Sequence, residues 1–266
     1  MTRRRLDAEL VRRGLVPSRT AAREAVDAGL VTIAGRPATK AATLVAAHEP
    51  VQVTRDVRPF ASRGGAKLDA ALERFGIDVA GADCLDAGAS TGGFTDVLLK
   101  AGARHVVAID VGYGQLAWDI RNDHRVTVYE RTNVRDVTPS MLPYAPTVVV
   151  ADLSFISLAI VVPTLVTLAT PDATFVVLVK PQFEAGRDAV GRDGVVRDAS
   201  VWRTAIVRVA TAFRASGAGA TDVIASPLRG PAGNVEFLVH ARGGRAASLS
   251  DERIDAAVED GRGSAA

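Results

Sequence analysis

The sequence has very little cysteine and no grouping of histidines. Cys84 is the single cysteine among 266 residues, so a disulfide framework and a thiolate metal cage are both excluded. Its place in an apolar segment just before a glycine-rich turn predicts a buried, inert thiol. The four histidines lie far apart, without metal-ligand spacing: His48, His105, His124 and His240. The sequence therefore indicates chemistry that needs no metal.

The sequence also lacks an apolar leader and a clear membrane span. The chain starts with Met-Thr-Arg-Arg-Arg and continues into a charged amphipathic segment, so we expect a cytoplasmic protein. No charged residue occurs from Leu153 to Thr170, about the length of a short span. However, Pro163 interrupts this segment, and a buried strand–loop–helix unit has the same pattern. A membrane-active protein is therefore kept only as an alternative.

Positive charge is concentrated at the N-terminus. Residues 1–67 hold 13 Arg and Lys against 6 Asp and Glu, a net charge of +7, whereas the remainder holds 19 against 24, a net of −5. A basic head on a mildly acidic body favours contact between the head and a polyanion. A well-solvated basic surface is the alternative.

Residues 1–55 have the pattern of a small α+β domain. Apolar spacing predicts helices over 6–14 and 19–28, the second capped by Ser18 and ended by Gly29. Short strands are predicted over 30–33 and 51–53, with a turn at Ala34-Gly35. Arg19 and Arg23 are four residues apart and share one helical face.

Specific residues in this head resemble the RNA-binding domain first known from ribosomal protein S-four. The matching positions are Leu6-Asp7, Ser18-Arg19, Ala22, Gly29-Leu30-Val31 and Gly35. The resemblance implies that arginines of the head meet RNA phosphates, and the candidates are Arg4, Arg5, Arg19 and Arg23. Phosphate contacts supply affinity without reading the base sequence.

After a charged, turn-rich linker over 56–62, the pattern changes to alternating buried strands and helices over 63–245. Strands are predicted at 83–87, 104–110, 126–130, 146–152, 173–180, 219–226 and 234–241, with a helix over 67–75. Continuous apolar strands are typical of a sheet covered on both faces. We predict an α/β fold with a doubly wound, seven-stranded, Rossmann-like sheet. A polar tail over 246–266 follows, for which we expect one further helix or a frayed chain.

A glycine-rich turn between two apolar strands predicts a nucleoside site. Glycine allows close approach of the backbone to a ligand, and Asp110 at the end of the next strand is placed for a ribose diol. The turn fits neither GxGxxG nor a phosphate-binding loop, and Asp86 favours a cationic ligand, so S-adenosylmethionine is the predicted cofactor. The predicted contacts are Asp86, Gly88, Ala89, Ser90, Gly92, Gly93, Phe94, Asp110, Asn133, Val134 and Asp152.

Four polar residues are predicted to meet at one edge of the sheet. Asp152 and Lys180 each end an apolar strand, and Lys67 opens a helix that can reach the same edge. Glu236 lies near the start of the last strand, which reaches this edge if that strand is antiparallel to the others. Each residue alone also has an ordinary interpretation as a solvated side chain or a helix cap.

The order Lys67, Asp152, Lys180, Glu236 resembles the FtsJ-type ribose 2′-O-methyltransferases. Four further segments narrow the resemblance to the TlyA/hemolysin A family of ribosomal RNA cytidine-2′-O-methyltransferases: Ser62–Leu68, Asp110–Leu116, Asp152–Ser157 and Gly233–Glu236. The resemblance implies a methyltransferase domain that modifies ribosomal RNA in ribosomal subunits.

The predicted chemistry suits such a family. A ribose hydroxyl must lose its proton as it attacks a sulfonium methyl, and a lysine can take that proton when burial and a neighbouring cation lower its pKa. We expect Lys67 and Lys180 to face each other, with Asp152 and Glu236 orienting them and Lys180 acting as the base.

Two other functions are weighed. A pseudouridine synthase is suggested by the letters Arg5-Leu6-Asp7, but that reading leaves the glycine-rich turn unexplained. An RNA-binding protein with an inactive catalytic domain is the second. The target nucleotide and the choice of ribosomal subunit stay open at this stage.

Overall fold

A computed structural model describes residues 3–16, 18–27, 29–53, 60–186 and 189–263. The chain divides into two compact units, Met1–Arg58 and Pro59–Ala266. Most of the linker predicted over 56–62 lies outside the described residues.

The N-terminal unit contains two helices and two small antiparallel sheets. Its elements are β1 (Arg3–Arg5), α1 (Leu6–Arg12), α2 (Arg19–Asp27), β2 (Val31–Ile33), β3 (Arg36–Pro37), β4 (Leu44–Ala46) and β5 (Val51–Val53). Strand β1 pairs with β4, and β2 lies between β3 and β5.

Local sequence explains these elements. The hydroxyl of Ser18 accepts a hydrogen bond from the backbone N–H of Ala21 at 3.1 Å and so caps α2. The two-residue loop between β2 and β3 has positive φ at both Ala34 and Gly35, the backbone that a tight hairpin needs. Leu6 and Leu10 of α1 are fully buried against Ala22 of α2.

The larger unit alternates strands and helices. Its elements are α3 (Gly64–Phe75), β6 (Asp83–Ala87), α4 (Gly93–Lys100), β7 (His105–Ile109), α5 (Trp118–Arg121), β8 (Val126–Tyr129), β9 (Val148–Ala151), α6 (Leu158–Leu168), β10 (Thr174–Val179), α7 (Pro181–Glu184), α8 (Ala199–Ala215), β11 (Ala218–Ala225), β12 (Phe237–Gly243) and α9 (Asp251–Gly263).

The seven strands form one sheet in the order β11-β12-β10-β9-β6-β7-β8. Strands β6 to β10 pair in parallel, and β12 is antiparallel to both β10 and β11. The predicted doubly wound seven-stranded sheet is confirmed. Chain order reverses beside β6, which pairs with β7 on one side and β9 on the other, and ligands bind at such a switch point.

Both faces of the sheet are covered. In β10, Phe175 and Val177 pack into the core shared with α6 and α8, whereas Val176 and Leu178 pack into the core shared with α3 and α4. The uncharged segment 153–170 holds α6, which belongs to the first of these cores.

Two elements begin three residues away from the predicted position. Helix α3, predicted from residue 67, begins at Gly64. The last strand begins at Phe237 rather than at residue 234, because Asn234 and Glu236 belong to the loop before it. The polar tail contains α9, whose Ile254 and Val258 pack into the core on the α8 side. Their helical spacing places them on one face of α9.

Candidate active site

A cavity of about 490 Å³ opens at the carboxyl ends of the parallel strands, within the usual size of small-molecule sites. The loops after β6, β7, β8 and β9 each contribute to its wall, through Gly88, Asp110, Asn133 and Asp152 among others. The cavity therefore lies at the switch point of the sheet.

Gly88 is required by the backbone on two grounds. Its φ is +88°, and a Cβ atom at this position would lie 2.5 Å from the carbonyl oxygen of Asp152. The backbone N–H of Asp152 in turn donates to the carbonyl of Ala87 at 3.0 Å. The turn after β6 thus presses against the end of β9, and only glycine allows this contact.

Asp110 forms a neighbouring part of the cavity wall. One oxygen of its carboxylate accepts a hydrogen bond from the N–H of Ser90 at 2.8 Å, and the other accepts one from the N–H of Gly112 at 2.6 Å. These two bonds hold the carboxylate at the cavity wall, where its remaining lone pairs can accept hydroxyl groups.

The predicted cofactor residues divide into two groups. Six of them line the cavity: Gly88, Ser90, Asp110, Asn133, Val134 and Asp152. Ala89 lines a small neighbouring cavity together with Ser90 and Asp110.

Gly92, Gly93 and Phe94 do not line this cavity, and their contact with the cofactor stays a prediction. A Cβ atom on Gly93 would lie 2.2 Å from the hydroxyl of Ser62, and Phe94 is buried in the core on the α3 and α4 side. The glycines here allow α4 to pack closely against its neighbours.

Asp86 is completely buried and does not line the cavity, so its predicted contact with the cofactor stays a prediction. One of its oxygens accepts a hydrogen bond from the hydroxyl of Thr95 at 2.6 Å, and the other has no hydrogen-bond partner among the described residues. Burial raises the pKa of Asp86 to about 7. Burial therefore favours the protonated, neutral form of this acid.

The four predicted catalytic residues come together at the same edge. Lys180 directly follows β10, and Glu236 directly precedes the antiparallel neighbour β12, so sheet register brings the two residues close. Lys67 is in the first turn of α3. The four charges influence one another, since Lys67, Lys180 and Asp152 all act on the pKa of Glu236.

Lys67 and Glu236 form the inner pair. The ammonium of Lys67 lies 2.5 Å from a carboxylate oxygen of Glu236, and their side chains are 9% and 1% exposed. Burial raises the pKa of Glu236, although the two lysines act to lower it. Gly230 makes room for this carboxylate, because a Cβ there would lie 2.6 Å from Glu236 Oε1.

Lys180 and Asp152 form the outer pair, beside the cavity. The Nζ atom of Lys180 lies 2.6 Å from Asp152 Oδ1 and 2.9 Å from the hydroxyl of Ser154. Asp152 and Ser154 both line the cavity. The sequence prediction placed the two lysines against each other, whereas the structure gives each lysine its own carboxylate.

Two further polar residues, which the sequence reasoning left without a role, support this edge. Buried Glu184 accepts hydrogen bonds from the N–H of Leu158 and the hydroxyl of Ser157, both at 2.5 Å, and so satisfies the start of α6. Asn234 accepts a hydrogen bond from the N–H of Val196 at 2.9 Å. In the sequence, Glu184 lies close to Lys180 and Asn234 lies close to Glu236. This proximity is the signal by which sequence reasoning could have found them.

Phe155 is a cavity residue that the sequence prediction did not include. Its side chain is 91% exposed, its φ is +64°, and its ring lies tilted against that of Phe183 with centroids 5.2 Å apart. A positive φ is uncommon for a bulky residue and costs backbone free energy, so the surrounding structure must hold Phe155 in this conformation. The exposed ring offers a flat apolar surface next to the outer pair.

In the N-terminal unit, three of the four predicted RNA-binding arginines gather around one acid. Arg5 and Arg19 each lie 3.0 Å from Asp7 Oδ2, and Arg23 lies 3.8 Å from it. Arg4 lies exposed in β1. Leu6 and Asp7 are fully buried within this unit, so the Arg-Leu-Asp sequence contributes to its packing.

None of the helices in the described ranges combines the length and the apolar character needed to cross a membrane. Helix α6, the most apolar part of segment 153–170, has 11 residues.

Comparison with known families gives a match for each unit. Residues 60–243 match the FtsJ-like methyltransferase family, and residues 4–51 match the S4 domain.

Individual relatives match over nearly the whole chain. The 16S/23S rRNA (cytidine-2′-O)-methyltransferase TlyA of Mycobacterium tuberculosis strain H37Rv is 53% identical, over 96% of this chain and 96% of that protein. Hemolysin A of Brachyspira hyodysenteriae is 37% identical, over 89% of this chain and 98% of that protein. A solved structure described as a candidate hemolysin from Streptococcus thermophilus has a TM-score of 0.78 at 35% identity, covering 99% of this chain and 97% of that one.

Proposed function

The chain belongs to the FtsJ-like methyltransferase family, with S-adenosylmethionine as its methyl donor, and from this membership we propose that it methylates the ribose 2′-hydroxyl of cytidine in ribosomal RNA. The relative at 53% identity is named for both 16S and 23S ribosomal RNA. We accordingly propose both ribosomal subunits as substrates.

The observation that carries the proposal is the position of Asp152. This residue is at once part of the cavity wall and the partner of Lys180 at 2.6 Å. A cofactor in the cavity and a hydroxyl beside Lys180 would therefore be neighbours, which is the arrangement that transfer between them needs.

The residues around the cavity suit S-adenosylmethionine. Gly88 leaves the turn free of a side chain, and Asp110 presents a carboxylate to a ribose diol. Asp86, on the strand before the turn, keeps one buried carboxylate oxygen without a hydrogen-bond partner among the described residues. When bound, S-adenosylmethionine supplies a methyl group on a positively charged sulfur, open to attack by an oxygen nucleophile.

In this mechanism Lys180 holds and removes the proton of the 2′-hydroxyl. A neutral amine has two N–H bonds and one lone pair. One N–H bond donates to the hydroxyl of Ser154 at 2.9 Å, and Asp152 Oδ1 lies 2.6 Å from Nζ as the charge partner, so the lone pair of the neutral amine is the site that receives the hydroxyl proton. The inner pair, Lys67 and Glu236, stabilises this edge of the sheet.

The remaining features fit an RNA substrate. Phe155 provides an exposed ring beside the outer pair, and such rings stack on the unpaired bases that proteins take from RNA. The exposed arginines around Asp7 provide positive charge for phosphates.

The test is single-turnover methylation of each purified ribosomal subunit by wild type and by Lys180→Ala. We expect the variant to be at least about a hundredfold slower, the usual effect of losing a general base, with cofactor affinity nearly unchanged. Circular dichroism checks that the variant is folded, and mapping of ribose methylation identifies the nucleotide.

Activity of Lys180→Ala within threefold of wild type would remove Lys180 as the base. Absence of ribose methylation on either subunit by the wild-type protein would contradict the proposed substrate. Methylation of one subunit alone would restrict the proposal to that subunit.

A further inference from the structure

Asp7 is a fully buried acid whose main partners are exposed arginines. Its carboxylate accepts hydrogen bonds from Arg5 Nη2 at 3.0 Å, from Arg19 Nη2 at 3.0 Å and from the N–H of Ala8 at 2.8 Å. The Nε atom of Arg23 lies 3.8 Å away. The hydrogen bond from Arg5, with the smaller effect of Arg19, holds the pKa of Asp7 well below its ordinary range. Asp7 is thus ionised at neutral pH.

The side chains of the three arginines are partly exposed to solvent. Their side chains are 45%, 56% and 60% exposed for Arg5, Arg19 and Arg23, whereas that of Asp7 is 0% exposed. The cluster combines three positive charges with one negative charge and has a net charge of +2. Each guanidinium has five N–H donors, so donors remain for a second anion after the contact with Asp7.

The carboxylate of Asp7 also offsets the electrostatic repulsion among the three arginines. Three like charges from β1 and α2 would spread apart if each side chain were free, and long arginine side chains lose entropy when they are held. A common buried acceptor keeps them together before any ligand binds, and preorganisation of this kind raises affinity.

Glu9, a second buried acid of α1, has a different arrangement. It binds Arg12 at 2.6 Å and Arg13 at 2.8 Å, and Arg13 donates to the carbonyl of Glu49 at 2.8 Å. Arg13 is only 19% exposed. Glu9 therefore connects α1, through Arg13, to the segment between β4 and β5, and of its two arginines only Arg12, at 48%, is about as exposed as those around Asp7.

We propose that Asp7 is a positioning residue that holds Arg5, Arg19 and Arg23 together as one phosphate-binding cluster for RNA. The proposal rests on the proposed function, because the ligand is the phosphate backbone of the RNA substrate. It assigns to a buried carboxylate a role in binding a polyanion.

The test compares full-length wild type with Asp7→Asn in binding to a 23S ribosomal RNA transcript at several salt concentrations. Net charge alone and the proposed role of Asp7 predict opposite changes in RNA affinity for Asp7→Asn. Asp7→Asn raises the net charge by one, so simple attraction would tighten binding. Loss of the organiser should instead weaken binding about tenfold and make the salt dependence shallower, by roughly one to two phosphate contacts.

Glu9→Gln is the matched control, since it makes the same change of charge on the same helix. We expect its salt dependence to stay at the wild-type slope. Thermal unfolding followed by circular dichroism compares the stability of both variants. A folded Asp7→Asn protein that binds as tightly as wild type, with an unchanged slope, overturns the proposal.

A second measurement leaves Asp7 in place in case Asp7→Asn does not fold. Arg5→Gln, Arg19→Gln and their double variant are compared for RNA affinity. Independent arginines give losses that multiply, whereas members of one cluster are coupled and give a double variant that loses less than the product. Multiplicative losses overturn the proposal. Failure of the wild type to bind RNA would instead remove the RNA function, and the inference with it.

Discussion

Glu236→Gln provides a quantitative test of the buried pair beneath the candidate active site. The substitution keeps the size of the side chain and removes its charge, so the ammonium of Lys67 is left in a site where it is only 9% exposed. Removing one partner of a buried ion pair costs about 3–5 kcal/mol, because the other charge is left uncompensated. Such a cost is a large part of the roughly 5–15 kcal/mol by which most proteins are stable.

The expected change in Tm follows from the size of the unit. For units of this size about 1 kcal/mol shifts the Tm by roughly 2–4 °C, so Glu236→Gln should lower it by roughly 6–20 °C. The assay is thermal unfolding of the cofactor-free protein, followed by circular dichroism. Glu259→Gln is the matched control, because Glu259 and its partner Arg262 are 73% and 59% exposed, and we expect no measurable change there.

A double variant distinguishes loss of the pair from general damage. Adding Lys67→Met to Glu236→Gln removes the unpaired ammonium and should recover stability, with a coupling of about 1–3 kcal/mol. The reasoning from burial is refuted if Glu236→Gln has the same Tm as the Glu259→Gln control, or if adding Lys67→Met does not raise the Tm of Glu236→Gln. Either result would mean that the pair does not stabilise the fold.

Three further predictions concern single side chains. Burial raises the pKa of Asp86 to about 7, so the folded protein keeps this proton over a pH range in which the unfolded chain releases it, and the stability of the wild type falls as pH rises from about 4 to about 7. Over that range, urea unfolding should show Asp86→Asn gaining up to about 4 kcal/mol relative to wild type. A difference in stability that does not change with pH would contradict the assignment. Asp110→Ala should weaken S-adenosylmethionine binding by about 1–3 kcal/mol in calorimetry, and unchanged affinity would remove Asp110 from the site. Ser154→Ala should lower the single-turnover rate about tenfold at unchanged cofactor affinity, through loss of one acceptor for Lys180, with recovery in Ser154→Thr; a wild-type rate in Ser154→Ala would exclude this role.

Much of the fold was predictable because its signals are local. Continuous apolar segments such as 174–179 indicate strands buried on both faces. A glycine-rich turn after the strand predicted at 83–87 indicates a ligand site. Polar residues that end buried parallel strands meet at one edge of a sheet by geometry alone, and Asp152 and Lys180 were found in this way. Their catalytic roles stay predictions.

The partners of these residues were decided by tertiary structure. Periodicity along the chain carries no information on sheet order, and the insertion of β12 between β10 and β11 brings Glu236 to Lys67 while Lys180 pairs with Asp152. The same limit applies to the predicted cofactor residues that do not line the cavity. Gly93 and Phe94 follow the turn in sequence, but the start of α4 directs them into packing contacts.

The N-terminal unit shows the same division between local and tertiary information. Composition and the spacing of Arg19 and Arg23 were enough to indicate a basic, anion-binding head. That these arginines converge with Arg5 on the buried carboxylate of Asp7 depends on how α1 packs against α2. The sequence by itself determined the elements, their charge and the edge at which the chemistry lies. Only tertiary structure decided which charges pair and how deeply each is buried, because both depend on contacts between segments far apart in the chain.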